Sequence, residues 1–155
     1  MNSDSNSIIS IKQFVNALIK QSSRDSRLHE YNFGKAKVDN YIHYGYHAGW
    51  LEDMDIVDKD EPLLRKHAAR IVHEFMRIEL QEPDLEDVSS ATRLRDLYDC
   101  RVCTKHVMQV FAKGIIDGYY ATDTLYLFGM NEAVTWQDSD IWALRIFHPN
   151  KRIPI

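Results

Sequence analysis

The string Asp99-Cys100-Arg101-Val102-Cys103-Thr104-Lys105-His106 gathers the residues best suited to chemistry. Cys-x-x-Cys-x-x-His supplies two thiols and an imidazole, the ligand types that zinc takes, with His67, His73 or Asp99 available as a fourth. The same thiols, three residues apart, also suit dithiol–disulfide work, or a thiol nucleophile beside a histidine. Against a shared metal, positions 100, 103 and 106 of a continuous helix drift round its axis. Cys103 falls on an apolar stripe with Val107, Val110 and Phe111, and Cys100 lies one turn earlier on nearly the same face. Buried free cysteines are common in cores. The favoured expectation is two core cysteines, with a zinc or thiol site at Cys100, Cys103 and His106 as the alternative.

Other spacings carry less. The histidines are His29, His43, His47, His67, His73, His106 and His148. His43 and His47 stand four apart with Gly45 between them and no His-Glu-x-x-His pattern, so surface or capping roles are expected. Asp53, Asp55, Asp58, Asp60 and Glu61 lack the central glycine and closing glutamate of a calcium loop, and suit a solvated connector. No nucleophile elbow, P-loop or dinucleotide fingerprint occurs. The expectation is therefore a non-catalytic protein without a cofactor.

The chain has 155 residues, 45% apolar and 27% charged, which suits a single globular domain. A formal charge of −4 gives no reason to expect nucleic acid. No apolar run approaches a membrane span. The start, Met1-Asn-Ser-Asp-Ser-Asn-Ser7, is not that of a secretory signal, so a cytoplasmic place is expected unless a signal has been removed.

These residues must be positioned by helices. Ser10-Ile-Lys-Gln13 is a capping box opening a helix to about Gln21, with Ile11, Phe14, Val15, Leu18 and Ile19 inward. A second helix is predicted from about Lys35 to Tyr44, closed by Gly45. Pro62 opens a third, to about Leu80, with Leu64, Ala68, Ile71, Val72, Phe75 and Ile78 inward. Ser89-Ser90 caps a short helix through Leu94 and Leu97, and a longer one spans about Asp99 to Lys113, closed by Gly114. Thr124–Phe128 is a short extended piece. Thr135-Trp-Gln-Asp138 caps a last helix, with Ile141, Leu144 and Phe147 inward. The predicted fold class is all-α, with about six helices and almost no sheet.

One pattern occurs twice. Shifted by 69, Val38, Tyr41, Ile42, Gly45 and Gly49 fall on Val107, Val110, Phe111, Gly114 and Gly118. Each copy is an apolar helix, a Gly-x-x-x-Gly turn, a connector and a second helix, starting at Leu64-Arg65 in one and Thr135-Trp136 in the other. Ser10-Ile11-Lys12-Gln13 looks like the capped helix of a truncated third copy.

Gly114-Ile-Ile-Asp-Gly-Tyr119, with Leu64-Arg65 and Ala68-Ala69, resembles the S-layer homology family, whose repeats carry a Gly-Ile-Ile-x-Gly-Tyr turn and a helix opening Thr-Arg-Ala-Glu. Arg95-Asp96-Leu97 sits where that family has an aspartate near its repeat start. The resemblance covers most of residues 10–148. The motif arginine survives only as Arg65; Ile11 and Trp136 stand in its place elsewhere, and copy one reads Gly45-Tyr-His-Ala-Gly49-Trp50. The resemblance implies a helical pseudo-trimer that holds cell-wall polysaccharide in grooves where the arginine meets the Gly-Tyr turn.

The expected function is thus a binding or scaffolding module. Its candidate binding residues are Gly49, Trp50 and Arg65 at one junction, and Gly118, Tyr119 and Trp136 at the other. Its expected partner is a protein, a second copy, or the family-implied glycan. The predicted organisation is a flexible tail at 1–9, a half repeat at 10–21, repeats at 27–80 and 90–148 in one domain, and a tail at 149–155. Large aromatics such as Trp50, Tyr119, Tyr120, Trp136 and Trp142 suit either a groove lining or plugs between repeats. If one site remains it is expected to be composite, since copy two keeps the turn and copy one the arginine.

Overall fold

The computed structural model describes residues 5–22 and 40–154. Among them are six α-helices: α1 (Ile11–Gln21), α2 (Asn40–Ala48), α3 (Asp53–Val57), α4 (Arg65–Glu74), α5 (Thr104–Ala112) and α6 (Trp136–Phe147). A small antiparallel sheet pairs β1 (Tyr119–Tyr120) with β2 (Tyr126–Leu127). The mostly helical class is as predicted, and β2 lies inside the predicted extended piece. The expected start of the second helix, 35–39, lies outside the described residues, as does His29.

The centre is a ring of backbone hydrogen bonds. Ile9 N–H donates to Val134 O (2.9 Å), Val134 N–H to Leu63 O (2.8 Å) and Leu63 N–H to Ile9 O (3.0 Å). Each of these residues directly precedes the N-cap of α1, α4 or α6. A helix leaves its first N–H groups without intrahelical partners, and here they can all be traced. The first helical residues, Ile11, Arg65 and Trp136, donate to Glu61 O, Glu132 O and Ser7 O. The second, Lys12, Lys66 and Gln137, donate to Lys59 O, Met130 O and Ser5 O. At the third position the Ser10 and Thr135 hydroxyls accept from Gln13 and Asp138 in the predicted capping boxes. Leu64 has no hydroxyl, and His67 N–H donates to Leu64 O instead.

One cluster of buried apolar side chains runs through α1, α2, α4, α5 and α6, with Phe14, Ile42, Phe75, Phe111 and Trp142 within it. The predicted inward faces of α1 and α5 are buried as expected, including Cys103.

Several expectations are corrected. Gly45 does not close α2: the helix runs to Ala48, and Gly49, at φ +100°, closes it. A Cβ on Gly45 would stand 2.7 Å from a Leu51 methyl and 2.9 Å from the Trp50 ring, so this glycine serves close packing. The acidic connector contains α3, because Glu52 and Asp55 cap each other. The third helix starts at Arg65, three residues after Pro62, and passes into a π-helical turn at Phe75–Glu79. The short helix is a 3-10 turn at Ser89–Arg93. The predicted face of α6 is turned by about one residue. Trp142, Ala143 and Ile146 are buried, whereas Ile141 and Leu144 are exposed. Both ends of the described chain are packed where described. Ile9 is fully buried in the ring, and Ile153 N–H donates to Gly114 O (3.0 Å).

Candidate functional site

Arg65 joins the two halves of the sequence pattern. As the first residue of α4 it points across the ring at the segment before α6. Its Nε donates to Phe128 O (2.7 Å) and one terminal nitrogen to Asp117 O (2.6 Å), inside the Gly114–Gly118 turn. Its guanidinium carbon lies 5.0 Å from the Phe128 ring centroid and 5.4 Å from that of Trp142. The turn approaches closely because Gly118 lacks a side chain: a Cβ there would meet Leu127 O at 2.7 Å. Burial lowers the Arg65 pKa, while the carboxylates of Asp138, Asp117, Glu132 and Asp96 favour its charge. The Tyr119 hydroxyl donates to Glu132. The buried Asp96 carboxylate accepts the Phe128 and Gly129 N–H groups, each at 2.8 Å, fixing the strand that Arg65 grips.

The expected composite pairing, arginine from one half and turn from the other, is therefore a contact. The other grouping does not form. Trp50, expected in a groove, is 1% exposed, packs edge-on against Phe75 at 5.0 Å and donates to the buried Glu79 carboxylate. Gly49 faces Ile78. Both stand at the far end of α4 and its π-helical turn, roughly 20 Å from Arg65 at 1.5 Å per residue. Trp136 is half-buried against the core, and among the described residues no hydrogen bond or ring contact joins it to Arg65.

A cavity lies elsewhere. It encloses about 590 Å³ between α3, the start of α4 and the start of α5, and is lined by Met54, Asp55, His67, Arg70, Cys100, Cys103 and His106 among others. Arg70 holds Asp55 with two hydrogen bonds of 2.8 Å, tying α3 to α4 across its floor. Burial, then the nearby Arg70 and Lys66 charges, lowers the pKa of His67. The cysteines, expected to be free, are joined in a disulfide in the turn before α5. This turn explains why α5 begins at Thr104, whose hydroxyl donates to the carbonyls of Leu97 and Cys100. Cys103 is nonetheless buried as predicted, and Cys100 is half-buried. Among the described residues no group of three histidine, cysteine or acidic side chains is arranged to hold a metal.

Behind the disulfide runs a buried polar chain. His106 on α5 and His73 on α4 approach Nδ1 to Nδ1 at 2.8 Å, and His73 Nε2 meets Asp84 Oδ1 at 2.7 Å. A carboxylate accepts, so His73 carries its proton on Nε2. In the neutral pair its Nδ1 then accepts from His106 Nδ1–H, leaving a lone pair on His106 Nε2. Among the described residues no hydrogen bond engages that nitrogen, and His106 lines the cavity. Burial and the neighbouring His73 push the His106 pKa down to about 4, so the ring is neutral at ordinary pH and its bare nitrogen can accept. The sequence brings His106 and His73 together only as possible ligands of one zinc, His73 being one of three choices for the fourth. Nothing in the spacing of 73, 84 and 106 announces that Asp84 meets the two rings.

Comparison with family models, with curated proteins and with solved structures gives no match.

Proposed function

We propose that this chain is a non-catalytic binding or scaffolding module of S-layer-homology-like build, presenting the junction of Arg65 with the Gly118-Tyr119 turn to a partner. The observation that carries this reading is the ring at Ile9, Leu63 and Val134. Three helix starts are bonded head to tail in equivalent register, as a pseudo-trimer of such helices would have them. That Arg65 reaches the turn, as the family resemblance implies, supports the same reading.

The surroundings of Arg65 bear on the partner. Four carboxylates oppose its charge, and two of its nitrogens already donate to backbone carbonyls. Such a junction does not attract an anionic polysaccharide. A protein segment, or an uncharged stretch of glycan, is the better fit. Tyr119 and Trp136, both half-buried, supply the amphipathic edges for it.

The test is retention of the purified chain on cell walls before and after removal of the anionic wall polymer, alongside sedimentation to detect self-association. Retention that survives polymer removal and is lost in Tyr119→Ala supports a neutral glycan. Self-association lost in the same variant supports the protein form. Retention or self-association that persists unchanged in both Tyr119→Ala and Trp136→Ala sinks the junction as the binding surface.

A further inference from the structure

We propose that Cys100 and Cys103 form a reversible dithiol–disulfide exchange site whose substrate is a thiol, of low molecular weight or borne on a peptide, with His106 as its proton carrier. The site is separate from the Arg65 junction and does not depend on that binding reading.

The two sulfurs are unequal in the way exchange requires. Cys100 is half-buried on the cavity wall, whereas Cys103 is only 7% exposed. Attack therefore falls on Cys100, and Cys103 is the leaving group. Cys103 is also the N-cap of α5, a nine-residue helix, where the backbone dipoles favour an anion, and Lys105 follows it closely. A bridge with only two residues between its cysteines removes little freedom from the unfolded chain, so stability gives weak reason for it. The cavity has room for a thiol ligand beside the bridge.

His106 completes the set. His106 lines the same cavity, no hydrogen bond among the described residues engages its Nε2, and the ring is held through Nδ1 by His73 and, beyond it, Asp84. Glu74, Lys105 and Arg70 also face it. The incoming thiol gives its proton to His106 as it closes on the bridge, and the positive ring is held by the thiolate formed beside it and by Asp84 through His73. The thiolate attacks Cys100 Sγ, forming a mixed disulfide as the Cys100–Cys103 bond breaks. The Cys103 thiolate takes the proton back from His106. A second thiol, deprotonated in the same way, attacks the substrate sulfur of the mixed disulfide and releases Cys100, which is protonated in turn. Two substrate thiols are oxidised to one disulfide and the protein bridge is reduced to two thiols; a substrate disulfide reverses every step. Val102, at 81% exposed, and Met54, at 64%, border the site with apolar surface suited to a peptide chain.

The full chain is equilibrated, without denaturant, in buffers of reduced and oxidised glutathione, and its thiols are trapped and counted by intact mass. The expected result is the same partly reduced equilibrium from either starting form, reached within minutes. A bridge that opens only in denaturant, or thiols that never oxidise, overturns the proposal. Cys103→Ser is expected to collect glutathione as a mixed disulfide on Cys100, about tenfold more than Cys100→Ser collects on Cys103. Equal or reversed labelling overturns the assigned order of attack. His106→Gln is expected to slow exchange about tenfold at neutral pH, less than general base catalysis usually gives, because a small thiol is already partly ionised. The deficit should close at alkaline pH, where the thiol needs no base; an equal deficit at both pH values overturns the proton-carrier role. A cysteine peptide with apolar flanks separates the two sources. Slowing of the peptide alone by Val102→Asp assigns a peptide-borne substrate, and equal rates for peptide and glutathione in both proteins assign a small thiol. Exchange with neither overturns the site.

Discussion

The Arg65 junction and the His106 chain are both polar clusters set against an apolar core, and they differ in completeness. At the junction Asp96 uses its carboxylate on two backbone N–H groups, Arg65 its nitrogens on two backbone carbonyls, and Tyr119 its hydroxyl on Glu132. The groups satisfy one another and clamp the strand Tyr126–Gly129 against α4. In the cavity wall His73 is bonded on both nitrogens, but no hydrogen bond among the described residues engages His106 Nε2. A buried cluster closed on itself chiefly fixes a fold; one that presents an unused basic nitrogen beside a disulfide can act on something that enters. The two regions should therefore respond oppositely to substitution.

The largest effect is expected at Asp96. Asp96→Ala strands the Phe128 and Gly129 N–H groups in a buried place and should lower unfolding stability by about 3 kcal/mol. Arg65→Lys keeps the charge but loses the fork and the ring stacking, and should cost about 2 kcal/mol. His106→Gln, which removes one buried contact and leaves the packing intact, should stay within about 1 kcal/mol. Urea unfolding followed by circular dichroism ranks the three. A His106→Gln as costly as Asp96→Ala would make both clusters structural and erase the distinction between them.

How far the sequence shows these regions depends on how local their causes are. The capping boxes at Ser10 and Thr135 involve residues three apart, and both are present as read. The apolar stripes of α1 and α5 follow one helix period and are likewise correct. Gly45 misleads because a glycine that permits close packing and a glycine that closes a helix look alike in sequence. The face of α6 misleads because two overlapping stripes are available, and the choice is made by Arg65 stacking on Trp142 from 77 residues away. The contact of Arg65 with the Gly118 turn is expected because the two segments read alike, one with the arginine and the other with the turn. The chain Asp84–His73–His106 is not, since its members come from three segments whose approach only the packed fold determines.

The smallest effect also comes from the open cluster, through pH. The folded pKa of His106 is about 4, below the ordinary histidine value of 6.5, because burial and His73 disfavour its charge. A base whose pKa is depressed on folding binds protons more readily when unfolded. Its contribution is intact above pH 6.5 and is lost as pH falls from there toward about 4. Between about pH 7 and 5.5 the loss should amount to about 1 kcal/mol. His106→Gln cannot protonate and should be correspondingly less acid-sensitive over this interval. The Arg77 hydrogen bond holds the Glu74 carboxyl below the usual range, and every other group is common to the two proteins, so the difference between the two unfolding curves reports the imidazole. The Arg65 junction holds no histidine and should show no such step. Parallel curves for the two proteins would mean that His106 is solvated in the folded state, and the unused nitrogen would no longer set this cluster apart from the closed one.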